Sequence, residues 1–271
     1  MKNIRAMYVN IVIWATAFCA CYPILRAGEM LPANETIKQN NKIVNLSYDC
    51  RYLQNLTRNV TPENTIFAFD LHEVLFRRNF RKIAYGGMWL FCKSFFYMIA
   101  HPTLISRLIS ISYEDIAVEG MYVKLTEEYP YLSNFQEDVC EISNNCCRPI
   151  EPMIDLLRAL KKQGFKIFLL SNLGENTLQD FKLRFNYFEE LFDGFYSPGK
   201  QNNYICKPMI AFYEGFKNYL SSLGYLNKQI LFVDDLEKNI KGACQAGMSG
   251  IHFIGYEKLC GTLQKLGISI K

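Results

Sequence analysis

The sequence predicts an α/β protein with a doubly wound parallel sheet and one helical insertion. Five short apolar runs end in polar residues, and most are separated by stretches with apolar residues at three- and four-residue spacing. Strands that are apolar on both faces and alternate with helices are typical of a parallel sheet covered on both sides. With 271 residues and 50% apolar composition, the chain can form such a core and an insertion, which excludes a wholly disordered protein.

The apolar runs predict the strands, and the periodic stretches predict the helices. The predicted strands are residues 66–71, 166–172, 194–197, 229–235 and 250–255. The predicted helices between them are residues 151–163, 207–223 and 236–246. In such sheets, ligands bind beyond the carboxyl ends of the strands. The polar residues that close the runs are therefore the candidate site residues.

One long interval interrupts this alternation. About 80 residues separate the first run from the helix that begins at Glu151, which is too long for a loop without structure of its own. We expect residues 77–148 to form a helical cap over the active edge of the sheet, and residues 65–76 and 149–271 to form the core. The aromatic residues of the cap, Trp89 and Phe96 among them, cannot be divided by sequence into pocket and core, and most of them are expected to be buried.

The N-terminus has the layout of a secretory signal. Lys2 and Arg5 precede an uncharged, mostly apolar stretch at residues 6–25. About 20 such residues could also cross a bilayer as an uncleaved anchor. We expect residues 1–27 to be a signal peptide or membrane anchor and the Asn-rich residues 28–64 to be a linker. The protein would then be secreted, periplasmic or attached to a membrane through this segment, and the alternative is a cytoplasmic protein.

The charge distribution gives no indication of nucleic-acid binding. The formal net charge is +4, and no basic tail or stripe is present in the sequence. One basic cluster follows the first predicted strand and consists of Arg77, Arg78, Arg81 and Lys82. It is interpreted as a solvated helix face, with contact to an anionic substrate as the alternative.

The first two polar clusters follow the first two strong strands. Asp70 follows IFAF, where a carboxylate can attack phosphorus and divide hydrolysis into two easier steps. Ser171 and Asn172 close the next strong run, where a hydroxyl and an amide could hydrogen-bond phosphate oxygens. Taken singly, these residues would be better explained as turn or cap residues.

The other two clusters supply a cation and a pair of carboxylates. Lys207 precedes Pro208 and a predicted helix; it could neutralise phosphoryl charge or simply face solvent. Asp234 and Asp235 follow ILFV, and adjacent carboxylates after a buried run are costly unless a cation compensates them. Magnesium prefers oxygen ligands and commonly takes one or two carboxylates with a substrate phosphate. The pair and Asp70 therefore predict a magnesium site.

Taken together and in this order, the clusters resemble the motifs of the haloacid dehalogenase superfamily. FAFDLHEVLF is similar to the first motif, LLSN to the second, CKP to the third and FVDDLEKNIKGA to the fourth. The resemblance covers residues 65–255 and implies a Rossmann-like core with a helical cap after the first strand. The third and fourth motifs are similar to those of sugar-phosphate phosphatases and of the phosphatase domain that accompanies some epoxide hydrolases.

The resemblance implies a role for each residue. The implied ligands of Mg²⁺ are Asp70, His72 through its backbone carbonyl, Asp234 and Asp235. Asp70 would also be the nucleophile. Ser171, Asn172 and Lys207 would bind the phosphate, and Lys207 would balance its charge. The implied activity is magnesium-dependent hydrolysis of a small phosphorylated metabolite through an aspartyl phosphate.

The residue two positions after Asp70 departs from the motif. Most phosphatases of this superfamily have a second aspartate there, which protonates the leaving oxygen and later activates water; here it is His72. Such acid/base help is typically worth about 10²–10⁴-fold in rate, although an imidazole can also exchange a proton near neutral pH. His72 is therefore expected to act in catalysis with Asp70 and Lys207. The alternative is a catalytically weak or inactive binding or regulatory protein.

Carbon–halogen hydrolysis is a third, disfavoured activity. The branch of the superfamily that carries it out works without a metal. The pair Asp234 and Asp235 would then have no purpose.

Overall fold

The computed structural model describes residues 52–56, 59–111 and 117–270. The predicted signal peptide or anchor, and the predicted linker up to residue 51, lie outside these residues. The strands are β1 (Thr65–Phe69), β2 (Phe76–Arg78), β3 (Cys147–Pro149), β4 (Lys166–Leu170), β5 (Gly194–Tyr196), β6 (Gln229–Asp234) and β7 (Ser249–His252). The helices of the described residues are α1 (Phe80–Ala100), α2 (Pro102–Ile111), α3 (Val118–Glu128), α4 (Gln136–Asn145), α5 (Glu151–Lys162), α6 (Glu175–Arg184), α7 (Ile210–Ser222), α8 (Glu237–Gln245) and α9 (Tyr256–Lys265).

Five strands form a parallel central sheet. Their order across it is β5-β4-β1-β6-β7, and each neighbouring pair is parallel. The predicted α/β fold with a parallel sheet is confirmed, and the predicted strand ends agree with the observed ones to within three residues. Helix α7 begins three residues later than predicted, at Ile210, because Pro208 disfavours helical geometry in the residue before it.

The central strand is buried on both faces. All five residues of β1 are buried, and successive side chains point to opposite sides of the sheet. Phe67 and Phe69 belong to the core that includes residues of α5 and α9. Ile66 and Ala68 belong to the other core, with residues of α7 and α8. The continuous apolar run at 66–69 is therefore explained by helices on both sides.

Helices α1–α4 form the insertion between β2 and β3, which pair as an antiparallel ribbon. Inside it, Leu90 of α1 and Tyr122 of α3 are buried. The expectation of buried aromatic residues is wrong for Trp89 and Phe96, which are 52% and 81% exposed. The inward face of α1 is already occupied by other residues, such as Leu90 and Met98, so the aromatic residues on its opposite face remain outside.

The last part of the predicted linker packs on the core. The backbone carbonyl of Tyr52 accepts a hydrogen bond of 2.8 Å from the Gly250 amide on the edge strand β7. The Asn55 side chain donates to the carbonyls of Cys244 and Met248, at 3.1 and 2.7 Å. Residues 52–56 thus cover part of a sheet edge that would otherwise expose backbone groups. None of the helices in the described ranges has the length and apolarity needed to cross a membrane.

Candidate active site

The candidate site lies at the carboxyl ends of the three central strands. Phe69 at the end of β1 is paired with Leu169 of β4 and with Val233 of β6. The Asp70 amide also donates to the Val233 carbonyl at 2.9 Å. Because the strands are parallel neighbours, the residues that follow them meet at one edge. The sheet register therefore brings together three of the four predicted clusters.

Lys207 connects the carboxylates at this edge. Its Nζ donates to Asp70 Oδ1 and to Asp234 Oδ2, both at 2.7 Å, and to the Leu170 carbonyl at 2.9 Å. The lysine is only 3% exposed. Burial alone would lower the pKa of Lys207, but Asp234 and Asp70 outweigh burial and raise it. The ammonium is therefore kept charged between two carboxylates, and the solvent-facing alternative for Lys207 is excluded.

The carboxylates form a group that could hold a divalent cation. One oxygen from each of Asp70, Asp234 and Asp235 lies within 4.8 Å of the others. Burial raises the pKa of Asp234, and the charge of Lys207 opposes this effect. Burial, followed by the charges of Asp70 and Asp234, raises the pKa of Asp235 to about 7. When all three carboxylates are ionised, they exceed the single ammonium by two negative charges, which suits Mg²⁺ with its oxygen ligands.

Asn239 is a site residue that the sequence-based prediction missed. It lies buried in the first turn of α8, and its Nδ2 donates to Asp234 Oδ1 and Oδ2 at 2.9 and 3.0 Å. The Leu236 amide also donates to Asp234 Oδ1, at 2.8 Å. These bonds fix the orientation of the carboxylate. The only signal in the sequence was an amide residue in the helix that starts just after the strand, which is common.

Ser171 and Asn172 follow β4 beside Lys207. The Asn172 Oδ1 accepts from the Lys207 amide at 2.8 Å, and its Nδ2 donates to the Lys207 carbonyl at 3.0 Å. The side chain of Asn172 thus fixes the backbone of Lys207. Ser171 is 1% exposed, and its Oγ accepts from the Leu173 amide at 3.2 Å. Phosphate binding by these two residues stays a prediction.

His72 lies in the turn that follows Asp70. Its backbone pairs with that of Phe76 in a single β-bridge, and the residue is partly buried. Burial, with smaller effects of the Arg78 and Lys207 cations, lowers the pKa of His72 to about 3. The imidazole is therefore neutral near pH 7 and only a weak base there. Its roles in catalysis and in metal binding stay predictions.

The basic cluster is divided by the fold. Arg78 lies with its Nε 3.2 Å from Glu73 Oε1, and its side chain is 10% exposed. Arg77, Arg81 and Lys82 are exposed at the start of the insertion. Arg78 is thus part of the surroundings of His72, whereas the other three form a solvated surface.

Comparison with known proteins identifies relatives of this chain. Residues 69–253 match the family described as haloacid dehalogenase-like hydrolase. The sesquiterpene phosphatase astK of Aspergillus oryzae is 32% identical over 126 residues, which are 46% of this chain and 60% of that protein. The chain therefore spans about 60% of the length of this curated relative.

Two solved structures share the fold. One is described as a predicted HAD-like family hydrolase of Porphyromonas gingivalis; it is 18% identical, with a TM-score of 0.51, and the match covers 76% of this chain and 98% of that one. The other is the HAD-hydrolase YfnB of Bacillus subtilis, solved bound to magnesium; it is 17% identical, with a TM-score of 0.50 and coverage of 76% and 99%. At these identities the likeness shows the fold alone.

Proposed function

Because this chain belongs to the haloacid dehalogenase-like hydrolases, we propose that it is a magnesium-dependent phosphatase of a small phosphate ester. The reaction proceeds through an aspartyl phosphate on Asp70. The observation that carries the proposal is the Lys207 ammonium, which contacts both Asp70 and Asp234 within the group of three carboxylates. Such an arrangement holds a nucleophile and balances charge at one point of the sheet edge.

Asp70 supplies the nucleophile. Its Oδ1 is held by Lys207 at 2.7 Å, which leaves Oδ2 to attack phosphorus. A bond forms from Asp70 to phosphorus while the bond from phosphorus to the ester oxygen breaks, and that oxygen takes a proton from solvent and leaves as the alcohol. Water then attacks the phosphorus and returns one proton to solvent, and the bond between phosphorus and the Asp70 oxygen breaks, which releases inorganic phosphate and restores the carboxylate. Two easier steps thus replace one difficult step.

The metal ligands on the chain are the carboxylates of Asp70, Asp234 and Asp235. Their excess negative charge and the raised pKa of Asp235 fit a bound cation. When bound, Mg²⁺ supplies a Lewis acid that offsets charge on the phosphoryl oxygens. Asn239 holds Asp234 in place, and Asn172 holds the backbone of Lys207.

Phosphate binding is assigned to Ser171, Asn172 and Lys207. The Ser171 Oγ accepts from the Leu173 amide, so its hydroxyl proton can be donated to a phosphate oxygen. Helices α1–α4 serve as the cap that selects the substrate. The cap contacts the core three residues before Lys207 in the chain, since the Ala117 amide donates to the Tyr204 carbonyl at 3.0 Å.

Phosphate release from a panel of esters, with and without Mg²⁺, tests the proposal. The panel includes an aryl phosphate, sugar phosphates and isoprenoid phosphates, the last because one relative is a sesquiterpene phosphatase. Release should require Mg²⁺ and be lost in Asp70→Asn. The matched control is Asp155→Asn, which alters an exposed aspartate on α5 and should retain activity. Equal activity of Asp70→Asn and wild type would remove Asp70 from the mechanism.

A regulatory or binding protein that retains the metal site is the second candidate function. The observation that favours it is His72 in place of the usual aspartate. This candidate predicts Mg²⁺ binding without phosphate release from any ester of the panel. If His72→Asp then gained activity, only the group for proton transfer would have been missing, and the rest of the site would be competent.

A further inference from the structure

Helix α1 exposes apolar side chains along one face. The exposed fractions are 77% for Tyr85, 41% for Met88, 52% for Trp89, 81% for Phe96 and 63% for Ile99. They lie three, four, eleven and fourteen residues after Tyr85, and at 3.6 residues per turn these spacings place them on one side of the helix. These five residues, the α1 stripe, extend for about 21 Å at 1.5 Å per residue.

The opposite face of α1 attaches the helix to the rest of the insertion. Leu90 is buried, and Tyr97 stacks on Tyr131 with ring centroids 4.6 Å apart. At the edge of the α1 stripe, the Lys93 Nζ lies 4.7 Å from the centroid of the Trp89 ring and pairs with Asp138 of α4 at 2.6 Å. The helix is thus held mainly by residues outside the α1 stripe, and exposed apolar surfaces of this kind usually mark an interaction site.

Basic residues stand at the start of the same face. Arg81 and Lys82 lie in the first turn of α1 and are exposed, and helical spacing places them on either side of the line of the α1 stripe. The sequence of α1 contains no Asp or Glu. The exposed face therefore combines cations with aromatic and aliphatic side chains, which is the composition of helices that lie in a membrane interface.

We propose that the α1 stripe inserts into the surface of a bilayer that contains anionic lipids, with α1 parallel to the membrane plane. Arg81 and Lys82 then contact lipid phosphate and carboxylate groups. Charge favours this occupant over a second copy of the chain, because α1 offers no carboxylate to pair with these cations on a self-complementary surface. The apolar residues 6–25 of the same chain would keep the protein close to the bilayer.

The fluorescence of Trp89 in the full-length chain provides the test. The chain has two tryptophans, so Trp14→Phe leaves Trp89 as the single reporter and removes the signal of the N-terminal segment. The probe is vesicles of brominated phosphatidylcholine and phosphatidylserine in equal amounts. Insertion of the stripe should shift the Trp89 emission to shorter wavelength and quench it, because the bromine atoms lie in the acyl region.

Variants in the Trp14→Phe background separate the parts of the proposal. Phe96→Ser with Ile99→Ser should abolish the shift and the quenching. Arg81→Gln or Lys82→Gln should weaken vesicle partitioning about fivefold each. Leu226→Ser, which alters a leucine that is 62% exposed between α7 and β6, should leave both signals unchanged.

Two results would overturn the proposal. One is Trp89 emission that vesicles neither shift nor quench. The other is a stripe variant whose association state in sedimentation differs from that of the parent protein while vesicles still quench Trp89. A second copy of the chain would then cover the stripe. Sedimentation of the parent protein and of the stripe variants without vesicles distinguishes insertion into a bilayer from association with a second copy.

Discussion

Glu119 of the inserted helix α3 caps helix α6 of the core through Asn176. Its Oε2 accepts from the Asn176 amide at 3.1 Å, and its Oε1 accepts from the Asn176 side chain at 3.0 Å. Helix α6 has no capping side chain of its own, because Gly174 occupies the N-cap position. A carboxylate at a helix N-terminus satisfies free amides and interacts favourably with the helix dipole. The insertion is thus joined to the loop that begins at Ser171.

Glu119→Ala should lower the free energy of unfolding by about 1 kcal/mol, the usual value of an N-cap. Chemical denaturation measures the change. Glu127→Ala is the matched control, because Glu127 is an exposed glutamate of the same helix, and its effect should be much smaller. Equal effects of the two substitutions would contradict a capping role for Glu119.

The contribution of Glu119 to stability should depend on pH. Burial outweighs the hydrogen bonds from residues 176 and 177 and raises the pKa of Glu119 above 4.5. A group whose pKa is raised on folding contributes stability below its unfolded pKa and loses it as the pH rises through the folded pKa. The free energy of unfolding of Glu119→Gln should therefore increase relative to that of wild type as the pH rises above 4.5. Chemical denaturation at several pH values measures this difference. A difference that is constant with pH would argue against this titration.

The strands and the residues at their ends were predictable because both follow from local patterns. The run IFAF can be buried only between two helical layers, and a parallel sheet must bring Asp70 next to Asp234. Glu119 and Asn239 were not predictable, since their partners are set by how a helix docks. The exposure of Trp89 was missed for the same reason, because a helical period does not reveal which face is covered.

Asn239→Leu should weaken Mg²⁺ binding by about 10–100-fold, as expected when a group that orients a metal ligand is lost. Asn239 donates to both oxygens of Asp234, so its removal frees the carboxylate to rotate. Titration calorimetry with Mg²⁺ measures the affinity. Thr262→Val changes a buried polar residue of α9 and should not alter Mg²⁺ binding. An unchanged affinity in Asn239→Leu would show that Asp234 is not a ligand or needs no orientation.

Lys207→Met should lower the free energy of unfolding by about 3–5 kcal/mol, because it leaves Asp70 and Asp234 buried without their cation. Mg²⁺ should raise the Tm of this variant more than that of wild type. It binds only the folded state, and in the variant it also replaces the missing positive charge beside Asp70 and Asp234. The control, Lys166→Met, removes an exposed lysine paired with Asp193 and should cost about 0–1 kcal/mol.

A double-mutant cycle tests whether Glu119 replaces the missing cap of α6. A side chain at Gly174 would place its Cβ 2.0 Å from Glu119 Oε2 and 2.4 Å from Glu119 Cβ, so Gly174→Ser should destabilise the wild-type protein. In a Glu119→Gly background the space is open, and the serine hydroxyl can itself cap α6. The cost of Gly174→Ser should therefore fall by about 0.5–3 kcal/mol, the usual coupling between contacting residues. Gly261→Ser in α9, where no atom lies within 4 Å of the added Cβ, should show no coupling to Glu119. If Gly174→Ser cost the same in both backgrounds, the glycine would be required by the backbone of the loop and not by the carboxylate that lies against it.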